Sequence, residues 1–326
     1  MSVAQQNEPK AQSAPEDISG FQRIYFDTSV WNHIADAHDR DSLIRFLKRR
    51  RQIPLASVIS VAEILVTPDL SKRDSLCETV RALHGEQQVL EQPLHIAKAA
   101  AGAFLRAERT LCIEETESAR SFYAALSDPR NAPVEQVKQW KDNMDSRLQR
   151  FIEDIKPPLK DNMTNYLSPE VLEREDFLAV LCKFPTAEQL GLSIDQMRGL
   201  CHASDLWRAL GATLAYTIQL STTHAPKRRK KNGQRMKRPG GADIWQTVYL
   251  GCVEVFVSGD QWMLEAAAQI SHLLKWPRCT LHTREFIDGL RKSSSPGGLT
   301  GTRICHVCGI PRYPVRGRHA IAAGKP

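Results

Sequence analysis

Short apolar runs alternate with helically spaced apolar positions in two separate stretches of the chain. Residues 24–26 and 53–59 in the first stretch, and residues 253–257 and Cys279–His282 in the second, have the length and character of buried strands. The predicted helices span 28–37, 41–51, 60–65, 71–83, 93–111, 243–250, 261–273 and 284–290. Because strands that alternate with helices form parallel sheets covered on both faces, the pattern predicts an α/β fold.

The alternation stops between the two stretches. Residues 113–221 show only helical spacing, most clearly in 134–155 and 204–220, and contain no convincing strand. The two stretches form one sheet only if this middle part is looped out. The predicted units are a disordered N-terminal tail (1–20), the first half of the core (21–112), a helical insertion (113–226), a basic loop (227–239), the second half of the core (240–292) and a basic, flexible C-terminal tail (293–326).

Composition excludes several classes of protein. With 326 residues, 42% apolar and 25% charged, the chain is neither collagen-like nor wholly disordered. No run of about 18 apolar residues predicts a membrane-spanning helix, and the polar N-terminus has no secretory signal. The eight cysteines are scattered, as in a reducing compartment, so a cytoplasmic protein without a membrane partner is expected. No glycine-rich nucleotide-binding loop occurs.

Positive charge is concentrated in two strings. The net charge is +7, with eight basic residues between 227 and 238 and seven after Asp288, so the remaining body has a net charge of −8. Exposed basic strings favour contact with a polyanion, most often nucleic acid, although a solubilising linker and a loose tail are the alternative. The candidate nucleic-acid contacts in the first string are Lys227, Arg228, Arg229, Lys230, Lys231, Arg235, Lys237 and Arg238.

Four acids fall near the expected carboxyl ends of the strands, where ligands bind in open α/β sheets. Asp27 directly follows a strand, and Asp260 follows another after Ser258-Gly259. Glu63 lies one turn into a helix, and Asp243 begins a helix. Each alone has a structural explanation, since Asp is a favoured helix cap and Ser60 with Glu63 fits a capping box. Together they would repel, by about 4 kcal/mol for a pair at 4 Å, unless they are protonated or share a cation. Oxygen ligands suit Mg²⁺ or Mn²⁺.

These acids occur in ordered motifs. Asp27-Thr28-Ser29, Ser60-x-x-Glu63, Ala242-Asp243 and Val257-Ser258-Gly259-Asp260 resemble the motifs of the PIN-domain nucleases. The resemblance covers the two core halves and implies a doubly wound α/β/α sandwich, carrying a large helical insertion that compact members lack. It implies that the four acids are catalytic and bind Mg²⁺ or Mn²⁺, that Thr28, Ser29 and Ser258 support them, and that the substrate is a phosphodiester, usually RNA. Structured DNA stays open as a substrate.

Other acidic motifs fit less well. A haloacid-dehalogenase phosphatase needs a second Asp at position 29, which is Ser, and a metal-adhesion site needs a hydroxyl at position 31, which is Trp. Two further functions stay open with the PIN fold. One is a catalytically weak nucleic-acid-binding or scaffold protein that recruits a protein partner through the insertion. The other is a toxin-like nuclease controlled by a partner protein.

Two smaller features have both a structural and a functional interpretation. Cys305 and Cys308 resemble half of a zinc knuckle, but a structural zinc site needs four ligands. His319, or Cys279 with His282, could complete it, although the last two lie three apart on a strand and so face opposite sides. A loose, reduced tail is the favoured interpretation. Trp31 and His33 could line the cleft, but a core Trp and a surface His are the simpler assignment.

Overall fold

The structure is a computed structural model of the chain. It describes residues 22–49, 52–84, 89–108, 117–159, 166–223, 241–293, 303–304 and 311–312. The basic residues of 227–238 and both Cys305 and Cys308 therefore lie outside the described residues, and the expectations about them stay predictions, as do the unit boundaries.

The described chain is mostly helical, with a small four-stranded parallel sheet, as expected of an α/β fold. The strands are β1 (Gln22–Phe26), β2 (Gln52–Leu55), β3 (Val255–Ser258) and β4 (Cys279–His282). Their spatial order is β2-β1-β3-β4, so strands from the two distant stretches of sequence meet in one sheet, as the pattern predicts. Pro54 lies in β2, at the edge, where a missing amide hydrogen is tolerated.

The register brings the carboxyl ends of the central strands together. Phe26 of β1 pairs with Val257 of β3, and Ser258 of β3 pairs with His282 of β4. The amide of Asp27 continues this ladder by donating to the carbonyl of Val257 at 3.3 Å. The strand order reverses between β1 and β3, and a crevice beyond the strand ends at such a point is where α/β sheets bind ligands.

Helices separate the four strands of the parallel sheet along the chain, and one more follows β4. In the described residues they are α1 (Thr28–Ala35), α2 (Arg40–Arg49), α3 (Val58–Leu65), α4 (Leu70–His84), α5 (Pro93–Leu105), α6 (Glu117–Ser127), α7 (Val134–Leu159), α8 (Glu175–Cys182), α9 (Pro185–Gln189), α10 (Ile194–Ala203), α11 (Asp205–Thr223), α12 (Gly241–Trp245), α13 (Gln261–Leu273) and α14 (Thr283–Ser293). Two 3₁₀ helices span Pro169–Glu173 and Gln246–Gly251. No described residue between 91 and 223 lies in a strand, which confirms the helical prediction for this part.

The helices between α5 and β3 share a core with the sheet. α11 packs against α5, α13 and the 3₁₀ helix Gln246–Gly251. Trp207 of α11 and Phe177 of α8 are fully buried, and they belong to the same apolar cluster as Ile24 and Phe256 of the sheet. Packing against these helices therefore helps to fix the segment that leads into β3.

The boundary between β2 and α3 differs from the prediction. The apolar run 53–59 predicts a strand throughout, but β2 ends at Leu55 and α3 begins at Val58. Ser57 caps α3 by accepting a hydrogen bond from the amide of Ser60 at 3.1 Å, so the predicted cap and capping box at Ser60 are wrong. Every residue of α3 except Glu63 is buried. A helix that is apolar on all sides has no amphipathic period, which is why the sequence pattern misplaces its start.

Arg303–Ile304 and Pro311–Arg312 form a short antiparallel ladder, β5 and β6, which the sequence pattern does not predict. Among the described residues, none of the helices combines the length and the apolar character needed to cross a membrane.

Candidate functional site

Asp27 lies buried at the carboxyl end of β1, where the strand turns into α1. Its side chain is only 4% exposed. Oδ1 accepts hydrogen bonds from the amide of Val30 at 3.1 Å and from the hydroxyl of Ser29 at 2.6 Å, and Oδ2 accepts one from the hydroxyl of Ser258. Asp27 is therefore the cap of α1, as its structural interpretation predicts. Its second oxygen faces β3 and is held by a residue 231 positions away.

The environment of Asp27 opposes its negative charge. Burial raises the pKa of this carboxyl, the hydroxyls of Ser258 and Ser29 and the amide of Val30 lower it, and the charge of Glu63 raises it further. The net pKa lies above the ordinary value of an aspartate. The ion pairs between described residues include none with Asp27. A buried carboxylate without an ion-pair partner needs a proton or a cation to offset the cost of its burial.

The turn after β3 is joined to Asp27 by two serine hydroxyls. Ser258 accepts a hydrogen bond from the amide of Asp260 at 2.9 Å, and Ser29 accepts one from the amide of Gly259 at 2.6 Å. A side chain at position 259 would meet this contact directly, since a Cβ there would lie 2.5 Å from the hydroxyl oxygen of Ser29. Glycine therefore allows the two strand ends to approach each other.

Asp260 caps α13 with one oxygen. Its Oδ1 accepts hydrogen bonds from the amides of Trp262 at 2.7 Å and Met263 at 3.3 Å. In the part of the chain that is described, Oδ2 of Asp260 has no hydrogen-bond partner. The capping interpretation of Asp260 is thus confirmed, and it leaves one oxygen for a ligand.

Glu63 projects from α3 and is engaged at both oxygens. Oε2 accepts a hydrogen bond from the hydroxyl of Thr28, the residue after Asp27, and Oε1 lies 2.5 Å from Nζ of Lys141 on α7. The side chains of Glu63 and Lys141 are 20% and 28% exposed. The Thr28 contact brings Glu63 close to Asp27, while Lys141 occupies a position that a bound cation would otherwise take.

Asp243 is the third residue of α12 and is half-buried. α12 contacts α7, α11 and α13, so Asp243 and Lys141 lie on neighbouring helices. The helix that contains Asp243 begins at Gly241, two residues before its predicted start.

Only part of the predicted acidic cluster is joined directly. Ser29, Ser258 and the backbone of Asp260 form one hydrogen-bond network around Asp27, and Thr28 extends it towards Glu63. Within the described ranges, no group of three or more His, Cys, Asp or Glu residues is arranged to hold a metal ion. The groups around Asp27 are carboxylate and hydroxyl oxygens, which suit Mg²⁺ or Mn²⁺, whereas Glu63 also contacts the ammonium group of Lys141.

A second network beneath the site was not predicted. The hydroxyl of Tyr25 lies 2.5 Å from Oε1 of Gln246, 3.1 Å from Oγ of Ser57 and 3.2 Å from Oγ of Ser60, and all four side chains are buried. It connects β1, the first turn of α3 and the 3₁₀ helix after α12, the elements next to three of the acids. Ser60 belongs to one of the ordered motifs, whereas Tyr25, Ser57, Gln246 and Lys141 belong to none of them. The sequence therefore carries no signal for these contacts beyond a polar residue within an apolar run.

The remaining candidates have structural roles where they are described. Trp31 is fully buried and donates from Nε1 to the carbonyl of Phe26 at 3.2 Å, which confirms a core role, and His33 is half-buried. On β4, Cys279 is buried and His282 is half-buried, as expected for opposite faces. Among the described residues, Cys77, Cys182, Cys201 and Cys252 are free thiols.

Comparison of the chain with protein-family models, with curated proteins and with solved structures finds no match. The likeness to PIN-domain nucleases consequently depends on the four ordered motifs and on their positions in the fold.

Proposed function

We propose that the chain is a metal-dependent endoribonuclease of the cytoplasm, built as a doubly wound PIN-like α/β/α sandwich with a large helical insertion. The proposed ligands of Mg²⁺ or Mn²⁺ are the four acids of the ordered motifs: Asp27, Glu63, Asp243 and Asp260. The observation that carries the proposal is Asp27, which is buried at the point where the strand order reverses, has a raised pKa and has no ion-pair partner among the described residues. A divalent cation would offset that charge.

The serine and threonine residues would orient the ligands. Ser29 and Ser258 fix both oxygens of Asp27, and Ser258 also fixes the backbone of Asp260. Thr28 holds Glu63 next to Asp27. Hydrogen bonds of this kind determine the direction in which a carboxylate presents its lone pairs to a metal. When bound, the metal would lower the pKa of a water molecule and stabilise the negative charge that develops on the oxygens of the phosphate and of the leaving group.

RNA is the proposed substrate class and DNA is the alternative. A cleavage assay with both nucleic acids distinguishes the two. The eight basic residues between 227 and 238 end three residues before α12 begins. Cationic residues close in sequence to a metal ligand would attract and position a phosphate backbone without selecting its sequence.

The test is cleavage of labelled single-stranded RNA and DNA by the full-length protein with Mn²⁺ or Mg²⁺ and with chelator. We expect metal-dependent cleavage of RNA, and a loss of about a hundredfold or more in Asp27→Asn and Asp260→Asn, the size expected when one electrostatic contact of a transition state is removed. Asp195→Asn is the matched control, because Asp195 is 91% exposed in the first turn of α10. Full activity of the first two variants would overturn the proposal.

One observation favours a second function. Lys141 neutralises Glu63, and no preformed group of three acids exists within the described residues. This arrangement suits a catalytically weak PIN-like protein that binds nucleic acid without cutting it. RNA binding that is independent of metal, together with no cleavage in Mn²⁺, would support that alternative.

A further inference from the structure

The ion pair between Lys141 and Glu63 joins two distant parts of the chain at the candidate site. The two residues are 78 positions apart, and their charged atoms lie 2.5 Å from each other. Both side chains are more than two-thirds buried. Removing two charges from water is costly, so an ion pair in such a place persists only where packing holds both partners in position. Contacts of α7 with α3 and α12 supply that packing.

A second lysine on the same helix shows what an ordinary surface pair looks like. Lys138, one turn before Lys141, pairs with Glu135 at 2.9 Å, and those side chains are 51% and 84% exposed. That pair is local and solvated, so it contributes little. Lys141 instead reaches away from its own helix to an acid of the proposed metal site.

The contact has a consequence for metal binding. Oε2 of Glu63 accepts from Thr28 and Oε1 is covered by the ammonium group of Lys141. A divalent cation that uses Oε1 has to displace the ammonium. An ammonium group that is displaced from Glu63 next to a nuclease site would be attracted by a phosphate of the substrate backbone.

We propose that Lys141 couples metal binding to substrate binding: its ammonium competes with the divalent cation for Glu63, and a backbone phosphate relieves the competition by taking the ammonium as its own partner. The inference rests on the proposed function, because it concerns the same metal site. Coupling of this kind is reciprocal, so the metal must strengthen phosphate binding by the factor by which the phosphate strengthens metal binding. This competition would keep the metal occupancy of the site low until nucleic acid binds.

The experiment measures Mn²⁺ binding by the full-length protein from the electron paramagnetic resonance signal of free Mn²⁺. The titration is run with and without a 2′-O-methyl oligoribonucleotide, which offers phosphates but lacks the 2′-hydroxyl. We expect the oligonucleotide to tighten Mn²⁺ binding by wild type. Lys141→Met should bind Mn²⁺ about tenfold more tightly without the oligonucleotide, equivalent to about 1.4 kcal/mol, and should show no further gain with it.

Two controls isolate the charge and the position. Lys138→Met removes a lysine from the same helix and should behave like wild type, and Lys141→Arg keeps the charge and should keep the coupling. Circular dichroism melts establish that each variant is folded at the temperature of the titration. If Lys141→Met fails to fold, Lys141→Arg still tests the proposal: retained coupling supports it, and abolished coupling overturns it.

The outcomes separate this inference from the proposed function. Unchanged Mn²⁺ affinity in Lys141→Met, while Asp27→Asn abolishes binding, would overturn the inference and leave the metal site intact. Equal Mn²⁺ binding by wild type and Asp27→Asn would overturn the proposed function and the inference with it.

Discussion

At the scale of single residues, the buried carboxyl group of Asp27 is costly to place. It is 4% exposed, its oxygens receive hydrogen bonds from two hydroxyls and one amide, and burial is the main reason for its raised pKa. Folded proteins tolerate such costs mainly at sites that bind or react. The charge of Asp27 should therefore destabilise the protein whenever no cation is bound.

The stability of metal-free Asp27→Asn tests this reasoning. Because the folded-state pKa of Asp27 is raised, the unfolded chain loses this proton at a lower pH than the folded protein does. The contribution of Asp27 to the free energy of unfolding therefore falls as the pH rises from the unfolded-state pKa of about 3.9 through the folded-state pKa. Asn does not titrate. We expect Asp27→Asn to melt at a higher temperature than wild type at pH 7 in chelator, and the gain to shrink as the pH approaches 4. Asp195→Asn should show no such pH-dependent gain. A variant less stable than wild type at pH 7 would contradict the cost assigned to Asp27.

The sequence identifies the residues of the strand ends but not their partners. Asp27, Ser29, Ser258 and Asp260 are found from short motifs because each lies within three residues of the end of a strand. The structure joins them by hydrogen bonds. Lys141 is one of many charged residues on a strongly helical segment. Which lysine reaches an acid 78 positions away depends on how α7 packs, and local spacing carries no information on that.

At the scale of elements, the buried hydroxyl of Tyr25 holds together the segments that carry the acids. It contacts Gln246, Ser57 and Ser60 from β1, so it links β1 to the first turn of α3 and to the 3₁₀ helix that follows α12. Burial raises the pKa of Tyr25 far above that of a free phenol, so it acts as a neutral donor and acceptor.

Tyr25→Phe should destabilise the protein by about 1–3 kcal/mol, because it leaves buried polar groups without a partner. Urea unfolding followed by circular dichroism measures this difference. Tyr216→Phe is the control, since Tyr216 is 7% exposed and its hydroxyl has no hydrogen bond to the described residues; a change within about 0.5 kcal/mol is expected there. Equal effects of the two substitutions would show that the network does not stabilise the fold.

Two glycines give opposite predictions for the same substitution. A Cβ at Gly251 would lie 2.5 Å from Cα of Leu206 and 2.8 Å from the carbonyl oxygen of Asp205, so Gly251→Ala must shift the backbone where α11 meets the segment leading into β3. We expect a loss of about 1–3 kcal/mol. Gly102 lies within α5 and would meet only the end of the Arg106 side chain at 3.3 Å, so Gly102→Ala should stabilise by about 0.5–1 kcal/mol. Thermal melts of both variants compare them, and similar melting temperatures would refute the packing assigned to Gly251.

Element prediction succeeds where the hydrophobic period is clear and fails where it is absent. α13 and β4 have the predicted bounds, Gln261–Leu273 and Cys279–His282. The amphipathic period of α13 and the short apolar run of β4 next to a turn are sufficient to predict these bounds. α3 is buried on every side except at Glu63, so its start could only be found from its contacts.

At the scale of the whole molecule, charge separates the basic strings from an acidic body. Serine and glycine in place of the eight basic residues between 227 and 238 should weaken RNA binding and reduce the slope of log affinity against log salt by about 0.7 for each phosphate that the string no longer neutralises. Fluorescence anisotropy across a KCl series measures both quantities. The same replacement of the five basic residues after residue 293 is the control and should have the smaller effect. Unchanged binding at low and high salt would exclude residues 227–238 as the RNA-binding segment.

The overall organisation is predictable only in part. Strand and helix alternation on both sides of the middle helices predicts one parallel sheet, and β1 and β3 do pair. The spacing of apolar residues in α8 and α11 predicts that each has a buried face, but not that Phe177 and Trp207 share a core with the sheet. Amphipathicity specifies that a face is covered and leaves its partner undetermined.

The most direct test of the central claim is anomalous diffraction at the manganese edge from crystals of the full-length protein grown with Mn²⁺. The account predicts an anomalous peak within coordination distance of the carboxylates of Asp27 and Asp260. The absence of a peak there, or a manganese site that involves neither residue, would contradict it.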